Sequence, residues 1–541
     1  MLNFIGIAFA VAMAAAPASP TPAASAAPVL ISPPFGAQPV ATPPPVDGLT
    51  VADIVAKWRA ASGTGRPVAN EIQVWKIHQF GVDGTTRIVT RGRDSTATTQ
   101  LGSFVTATGF SGGKPWRQNA NGQILASHLP SAADEVRAVS QKLTHVTTPL
   151  DAYVVESIAA NGDTSRRFYD ARTFLIVRRE IDAYGVHSFS AYDNFVTDSA
   201  GRTFAHHVSG GDQRPDNLWD QLLISDDLKP TLGPNDVAIP TSGRALVEFP
   251  AGLTTVRLPA RIVEGGIVVR VQIAGRGVDL LLDSGASSIV LDRGIAATLG
   301  LRIEGEHTET VAGDVKTGGA KVPEMKIGDL TLHDVAVETM PFSYDVNSST
   351  KALGLLGFDF LDAAAVTIDY AKGTVDATAP SAFVPEAGAT EIPARFEAGV
   401  PELTVAMGPT KGEHFILDTG AQRQSIVLFQ HFVHFNESAI PTEARTKNGP
   451  LASEMIGGTV HDMPIVIRNV VLGDWRIAEV HGVLSSSPAS FGDEDGLLGS
   501  DFLNLFKITL DESHHKLYLT PVEDEANASP SPSPRPSDPR R

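Results

Sequence analysis

The chain has 541 residues, 42% of them hydrophobic, and a formal net charge of -18. That length and composition predict more than one folded domain and argue against wholesale disorder. The acidic balance, with no long Lys/Arg run, argues against nucleic-acid binding, and the lack of cysteine excludes disulfides, thiol catalysis, zinc–thiolate sites, Fe–S clusters and lipid attachment to an N-terminal Cys.

In chain order, Phe4 to Ala16 is an apolar run followed by small residues, and Ala24-Ser25-Ala26 offers an A-x-A cleavage pattern. Residues 1–26 therefore read as a cleaved signal peptide; the n-region has no Lys or Arg, which keeps an uncleaved anchor as the alternative. The run is short for a membrane span, and charged residues interrupt every later apolar stretch. The expectation is an extracytoplasmic protein, periplasmic or secreted, and not integral to the membrane after cleavage. Residues 27–47 continue a Pro/Ala/Ser-rich stretch and read as a linker; 524–541, ending SPSPSPRPSDPRR, read as a disordered tail.

Residues 48–240 read as one β-rich domain with a few helices. Ile54, Val55 and Trp58 fall at helical spacing, which predicts a helix over Asp53–Ala61 stopped by Ser62-Gly63. A second helix is predicted over Ala132–Leu143. Strands are predicted at Glu71–Ile77, Tyr153–Ile158 and Phe174–Asp182, with turns at Asn161-Gly162-Asp163 and Tyr184-Gly185. The opening helix, Trp116 in Gly113-Lys114-Pro115-Trp116, and Tyr169-Asp170-Ala171-Arg172-Thr173-Phe174 leading into a strand give the region its character. On those residues it resembles the lipoprotein-carrier half-barrels of Gram-negative envelopes, in the style of the lipoprotein localisation factors. The resemblance implies a lipid, lipoprotein or peptide ligand; an accessory domain that only positions the rest is the simpler reading.

The remainder holds an internal repeat, residues 245–380 and 388–523. Pro259-Ala260-Arg261-Ile262 matches Pro393-Ala394-Arg395-Phe396, and Leu280-Leu281-Leu282-Asp283-Ser284-Gly285-Ala286 matches Phe415-Ile416-Leu417-Asp418-Thr419-Gly420-Ala421. Gly354-Leu355-Leu356-Gly357 matches Gly496-Leu497-Leu498-Gly499, and each copy closes on a strand, Val366–Asp369 and Ile508–Asp511. Four matched blocks in one order predict two homologous lobes. In each, a buried strand ends at the Asp; Gly285 and Gly420 allow a tight turn and close approach to the other lobe, and the Ser284 and Thr419 hydroxyls can bond backbone across the interface. If the loops meet on a pseudo-twofold axis, Asp283 and Asp418 share a proton, because two like charges that close cannot both ionise easily. Such a pair can deprotonate water and protonate a peptide carbonyl without metal or cofactor.

At these motifs the chain resembles the aspartic peptidases of the retropepsin and pepsin clan, with short lobes as in retropepsin-like bacterial aspartyl proteases but fused in tandem as in pepsins. The resemblance implies that Leu355-Leu356-Gly357 and Leu497-Leu498-Gly499 pack behind the catalytic loops. It further implies a mainly β, bilobal aspartic-peptidase β-barrel domain, an extended polypeptide substrate, and Asp283 and Asp418 as the acid–base pair. Two departures stand out. Ala286 and Ala421 occupy positions where pepsins carry a hydroxyl, which predicts a less acidic pH optimum than pepsin's. Lobe two is two residues longer after its motif, at Gln422-Arg423-Gln424, where Arg423 either faces the dyad or, more commonly for a loop Arg, solvent. Glycine-rich hairpins at Val311–Val322 and Glu454–Val460 are candidate flaps; neither shows the flap Tyr of pepsins.

His431 and His434 lack the Glu of a His-Glu-x-x-His zinc site, and His206-His207 and His514-His515 read as strand or turn surface. No Gly-x-Ser-x-Gly elbow or Gly-rich phosphate loop is present. The sequence thus points to a monomeric aspartic-type endopeptidase. The rival is a non-catalytic envelope protein binding lipid, lipoprotein or peptide, with pseudo-peptidase lobes; a third arrangement would pair each lobe with one from another chain.

Overall fold

The computed structural model describes residues 43–522, apart from 67, 127–137, 160–162, 184–185, 242–245, 311–312, 437–450, 457 and 486–493. The predicted leader, most of the linker and the tail lie outside the described residues. The fold is mainly β, with large sheets and few helices. Among the described residues no helix is long and apolar enough to cross a membrane.

Helix α1 (Val51–Ser62) starts at a capping box in which the Thr50 side chain and Asp53 satisfy each other's backbone N–H, and stops at left-handed Gly63. Its Ile54 and Trp58 pack with Leu143, Tyr153, Val155 and Tyr169 on one face of a 13-stranded antiparallel sheet. That sheet is two meanders joined where its first strand, Asn70–Gln79, pairs with its last, Trp219–Asp227. The strand at Tyr153–Ile158 forms within Ala152–Ala159, and that at Phe174–Asp182 begins at Ile176 because Phe174 takes a left-handed turn. The helix expected over Ala132–Leu143 is not formed: Ala138–Val146 is a strand paired with Ala152–Ala159, and 132–137 lie outside the described residues. Leu143, placed opposite Val155, gains more by burial under α1 than local helical preference offers. The dipeptides Asn161-Gly162 and Tyr184-Gly185 lie outside the described residues, between strands that pair.

The C-terminal half is bilobal. A nine-stranded sheet forms lobe one and an eight-stranded sheet lobe two. In lobe one, β1 (Arg276–Leu282) carries the first motif at its end, β2 (Val290–Asp292) follows, and β3 (Gly354–Leu356) inserts between them, parallel to β1 and antiparallel to β2, before the short helix α2 (Phe358–Leu361). Lobe two repeats this with β4 (Thr410–Leu417), β5 (Ile426–Leu428), β6 (Gly496–Leu498) and α3 (Ser500–Leu503). The two Leu-Leu blocks of the repeat are therefore the strands that cross behind the motif loops.

A six-stranded sheet, three strands from each lobe, joins the halves. At its centre the matched terminal strands of the repeat pair with each other: Val366 opposes Leu510 and Ile368 opposes Ile508, while the Thr367 and Thr509 hydroxyls lie 2.9 Å apart. Apolar residues of both lobes, including Leu280, Leu282, Leu356, Phe415, Leu417 and Leu498, form one continuous core. Burying this many aliphatic side chains, at about 25 cal/mol per Å² of apolar surface, anchors the loops that carry the two motifs.

Candidate active site

Leu280–Leu282 and Phe415–Leu417 are buried, so each motif strand is fixed in the core up to its Asp. The backbone then turns out of the sheet, and the two loops meet. Ser284 Oγ donates to the Leu417 carbonyl (2.6 Å) and accepts from the Thr419 N–H (3.0 Å). Thr419 Oγ1 donates to the Leu282 carbonyl (2.9 Å) and accepts from the Ser284 N–H (3.0 Å). Both hydroxyl residues are fully buried, and every polar atom in this reciprocal clasp is satisfied. The motif glycines allow the approach: a Cβ on Gly285 would stand 2.8 Å from Asp418 Cγ, and one on Gly420 would stand 2.4 Å from Asp283 Cγ.

Asp283 and Asp418 are thereby brought into hydrogen-bonding contact. Each keeps an edge on the cleft yet is surrounded by protein atoms on its other sides. Asp283 Oδ1 accepts the Gly285 N–H at 2.8 Å; Asp418 Oδ1 accepts those of Gly420 (2.8 Å) and Ala421 (2.9 Å). Burial lifts Asp283 well above the ordinary carboxylate range, and the neighbouring Asp418 charge and the bond between them lift it further. Burial also raises Asp418, but there the bond from Asp283 and the two loop N–H groups oppose the shift. The result is a coupled pair in which two raised carboxyls share one proton.

Residues 269–360, which include Asp283 and the Gly-Leu-Leu-Gly block, match the family described as Aspartyl protease. No curated protein matches the chain. Among solved structures, Basic 7S globulin from soybean is similar at 12% identity and a TM-score of 0.31, over 50% of this chain and 94% of that one. A putative outer membrane lipoprotein-sorting protein domain from Vibrio parahaemolyticus is similar at 10% identity and a TM-score of 0.25, over 34% of this chain and 94% of that one. A LolA superfamily protein from Nitrosomonas europaea is similar at 13% identity and a TM-score of 0.27, over 35% of this chain and 98% of that one.

The two extra residues of lobe two have a definite use. Gln422 is buried, and its Nε2 donates to the carbonyls of Val263 (3.1 Å), Glu264 (2.9 Å) and Val346 (3.0 Å), all in lobe one. Arg423 has a left-handed backbone, its N–H donates to Ser500 Oγ, and its guanidinium pairs with Glu264 and reaches the Val346 carbonyl. Arg423 thus does not simply point to solvent, and it is not among the groups that shift either dyad carboxyl. The insertion is a latch across the lobes.

The second candidate flap is the turn of a hairpin, whereas the first, Val311–Val322, is from Asp314 on a single strand whose hairpin partner precedes it. In lobe one Glu304–Thr310 pairs with Asp314–Ile327; in lobe two Leu451–Met455 pairs with Gly458–Leu472. Val315 of the first joins an apolar cluster with Ala286, Phe342, Val346 and Leu355, and Ile456 at the tip of the second packs against the same cluster. The N-terminal sheet holds the first hairpin. Phe80 stacks on His307 with ring centroids 4.0 Å apart, Asn217 exchanges hydrogen bonds with the Thr308 backbone, Arg214 pairs with Asp314, and Asp216 pairs with Lys316. Tyr344, on a third hairpin (Tyr344–Asn347 with Thr350–Ala352), is half-buried at the edge of the cluster and close enough to feel the charges of Arg423 and Asp418.

The sequence did not single out Tyr344, Gln422's three acceptors or the hairpin's anchor. Length difference between the repeats was the only available signal, and it marked the latch without revealing its partner. His207 bonds Asp193 and Asp220 on a strand, and His514 bonds Asp511 in a turn; the side chains of His431 and His434 lie outside the described residues.

Proposed function

We propose that the chain is an aspartic-type endopeptidase in which Asp283 and Asp418 activate water against a peptide bond. The observation that carries this reading is the contact between two half-buried carboxyls that share one proton and are supported by loop N–H groups and a buried hydroxyl clasp. In the resting state the pair holds one proton; with it on Asp283, Asp418 is ionised. A water between them loses a proton to Asp418 as its oxygen attacks the carbonyl carbon, while Asp283 gives its proton to the carbonyl oxygen. The resulting gem-diol collapses as Asp418 returns a proton to the amide nitrogen; the C–N bond breaks, and Asp283 recovers a proton from a diol hydroxyl. No charge larger than that of one carboxylate is ever present, so the low-dielectric floor of the cleft is compatible with each step.

The substrate in this reading is an extended polypeptide lying under the two hairpins. Residues 48–240, 245–380 and 388–523 act as three units of one extracytoplasmic monomer. The decisive experiment is casein or peptide-library digestion by the full chain. Asp283→Asn and Asp418→Asn should each abolish cleavage, since each removes one partner of the shared proton. Full activity in either variant would refute the mechanism.

A further inference from the structure

We propose that the Asn119–Gln123 turn of the N-terminal sheet belongs to the catalytic apparatus, positioning the lobe-one motif loop through Asp359. This inference rests on the peptidase reading above.

The turn, Asn119-Ala120-Asn121-Gly122-Gln123, is organised before it meets anything. Asn119 Oδ1 accepts the N–H groups of Asn121 (3.1 Å) and Gln123 (2.9 Å), and the Asn119 N–H donates to the Gln123 carbonyl. Gly122, at φ 86°, closes the turn. Its outward groups then dock on lobe one and are buried there: Asn121 and Gln123 are 6% and 5% exposed. Asn121 bonds both backbone groups of Ala336, donating to its carbonyl (2.9 Å) and accepting its N–H (2.8 Å). Gln123 Nε2 donates to the Asp359 carbonyl (3.0 Å) and to Asp362 Oδ2 (2.8 Å). Asn119 Nδ2 donates to Asp359 Oδ1 at 2.9 Å.

Asp359 is the link to the chemistry. It is 2% exposed, and its other oxygen accepts the Ile289 N–H at 2.8 Å. Ile289 ends the loop that begins at Asp283, and that loop is otherwise held on this side by α2, whose first N–H donates to the Ala286 carbonyl. A carboxyl buried this deeply needs donors on both oxygens if it is to keep one orientation. Within lobe one it has Ile289; the second donor, Asn119, comes from the N-terminal turn, where the Asn121 amide also favours the charged carboxyl. The matched Asp501 of lobe two has no such neighbour to satisfy: it is more exposed, and Arg423 lies near it. The N-terminal sheet therefore completes one half of the site, and the two lobes are supported by different means, lobe one from the N-terminal turn and lobe two by its own latch.

The test uses the full-length chain on one peptide substrate, with Asn119→Ala and Asn119→Asp, alongside wild type and Asp283→Asn. Loss of the donor should lower kcat about 10-fold with little change in KM, as expected when a reacting group is displaced without loss of substrate contacts. Asn119→Asp supplies the readout that plain destabilisation does not. Its carboxyl can share a proton with Asp359, which burial holds up at about 6 with Asp362 facing it, so the bond survives in acid. As the pH rises past that value the two carboxylates repel. The variant should match wild type on the acid side and fall progressively below it as the pH passes about 6. Should Asn119→Ala fail to fold, the pH profile of the Asp variant still decides. Unchanged kcat in Asn119→Ala, or a pH profile in Asn119→Asp parallel to wild type, overturns the inference while leaving the peptidase reading intact. An inactive wild type, indistinguishable from Asp283→Asn, removes the peptidase reading itself.

Discussion

Thr419 shows how much of the site hangs on one hydroxyl. Thr419→Val keeps the shape of the side chain but orphans the buried Ser284 N–H and Leu282 carbonyl, which the hydroxyl now satisfies. Each orphaned group costs about 1–3 kcal/mol, so the variant should unfold at clearly lower denaturant concentration than wild type. Thr419→Ser keeps the donor and the acceptor and should lose little. An equal loss in both would show that packing of the methyl, and not the bonds, matters. Cleavage should fall in Thr419→Val even where the fold persists, because the clasp sets the distance between Asp283 and Asp418. At this scale the sequence was informative: Asp-Ser-Gly and Asp-Thr-Gly at matched places in a repeat pointed to two loops that meet, and their hydroxyls do bond backbone across the lobes. The residues it did not reveal, Asn119, Asn121 and Gln123, look like any Asn/Gly turn between strands, since nothing local in a turn says whether its amides meet water or another unit.

At the scale of elements, the repeat located β1, β3, β4 and β6 because buried strands are continuous apolar runs whose neighbours must be small or apolar. The helix expected over Ala132–Leu143 gives way to a strand from Ala138 for the opposite reason: a mixed segment has no period strong enough to outweigh what its neighbours offer. The second hairpin was legible at its turn, but the anchoring of the first to the N-terminal sheet was not, because it depends on a contact between residues about 100 positions apart. That anchoring has a measurable consequence. Asp216, held down to about 2 mainly by its bonds to Lys316 and Thr308 against the cost of burial, stays ionised through the whole weakly acidic range, so the first hairpin remains anchored there. A double variant, Arg214→Ala with Lys316→Ala, removes the two ionic anchors. Amide exchange in Glu304–Thr310 should quicken markedly, while that in Gly458–Leu472 stays as it was. If the wild-type first hairpin already exchanges as fast as the second, the anchor does not restrain it.

For the whole molecule, the shifted groups define a pH window of stability. Asp359 (about 6), Asp226 (about 7, beside Glu71), Asp362 and Glu512 all sit above ordinary carboxylate values, chiefly because burial disfavours their charged forms. Raised acids stabilise fully below the unfolded value near 4 and lose that contribution as the pH climbs through the folded one. His145, His207 and His414 are raised by bonds to Asp151, Asp220 and Glu402, so they too help most below about 6.5 and less above. On the acid side Asp182, Asp198, Asp216 and Asp369 are lowered; their help is present above about 4 and fades as the pH falls toward 2. The two limbs place maximal Tm between about pH 4 and 6. The dyad also disfavours a strongly acidic optimum, since both carboxyls are raised and Ala286 and Ala421 offer no hydroxyl to favour ionisation; cleavage should not peak near pH 2. Glu512 isolates the alkaline limb. It is 1% exposed, neither carboxyl oxygen has a hydrogen-bond partner among the described residues, and Asp362 opposes its charge. Glu512→Gln keeps the shape and removes the need to hold a proton, so its Tm should exceed that of wild type at pH 8 and converge with it at pH 4. A wild-type Tm that rises steadily from pH 5 to pH 8, or a Gln variant that is less stable at every pH, would show that the buried acids do not control this limb.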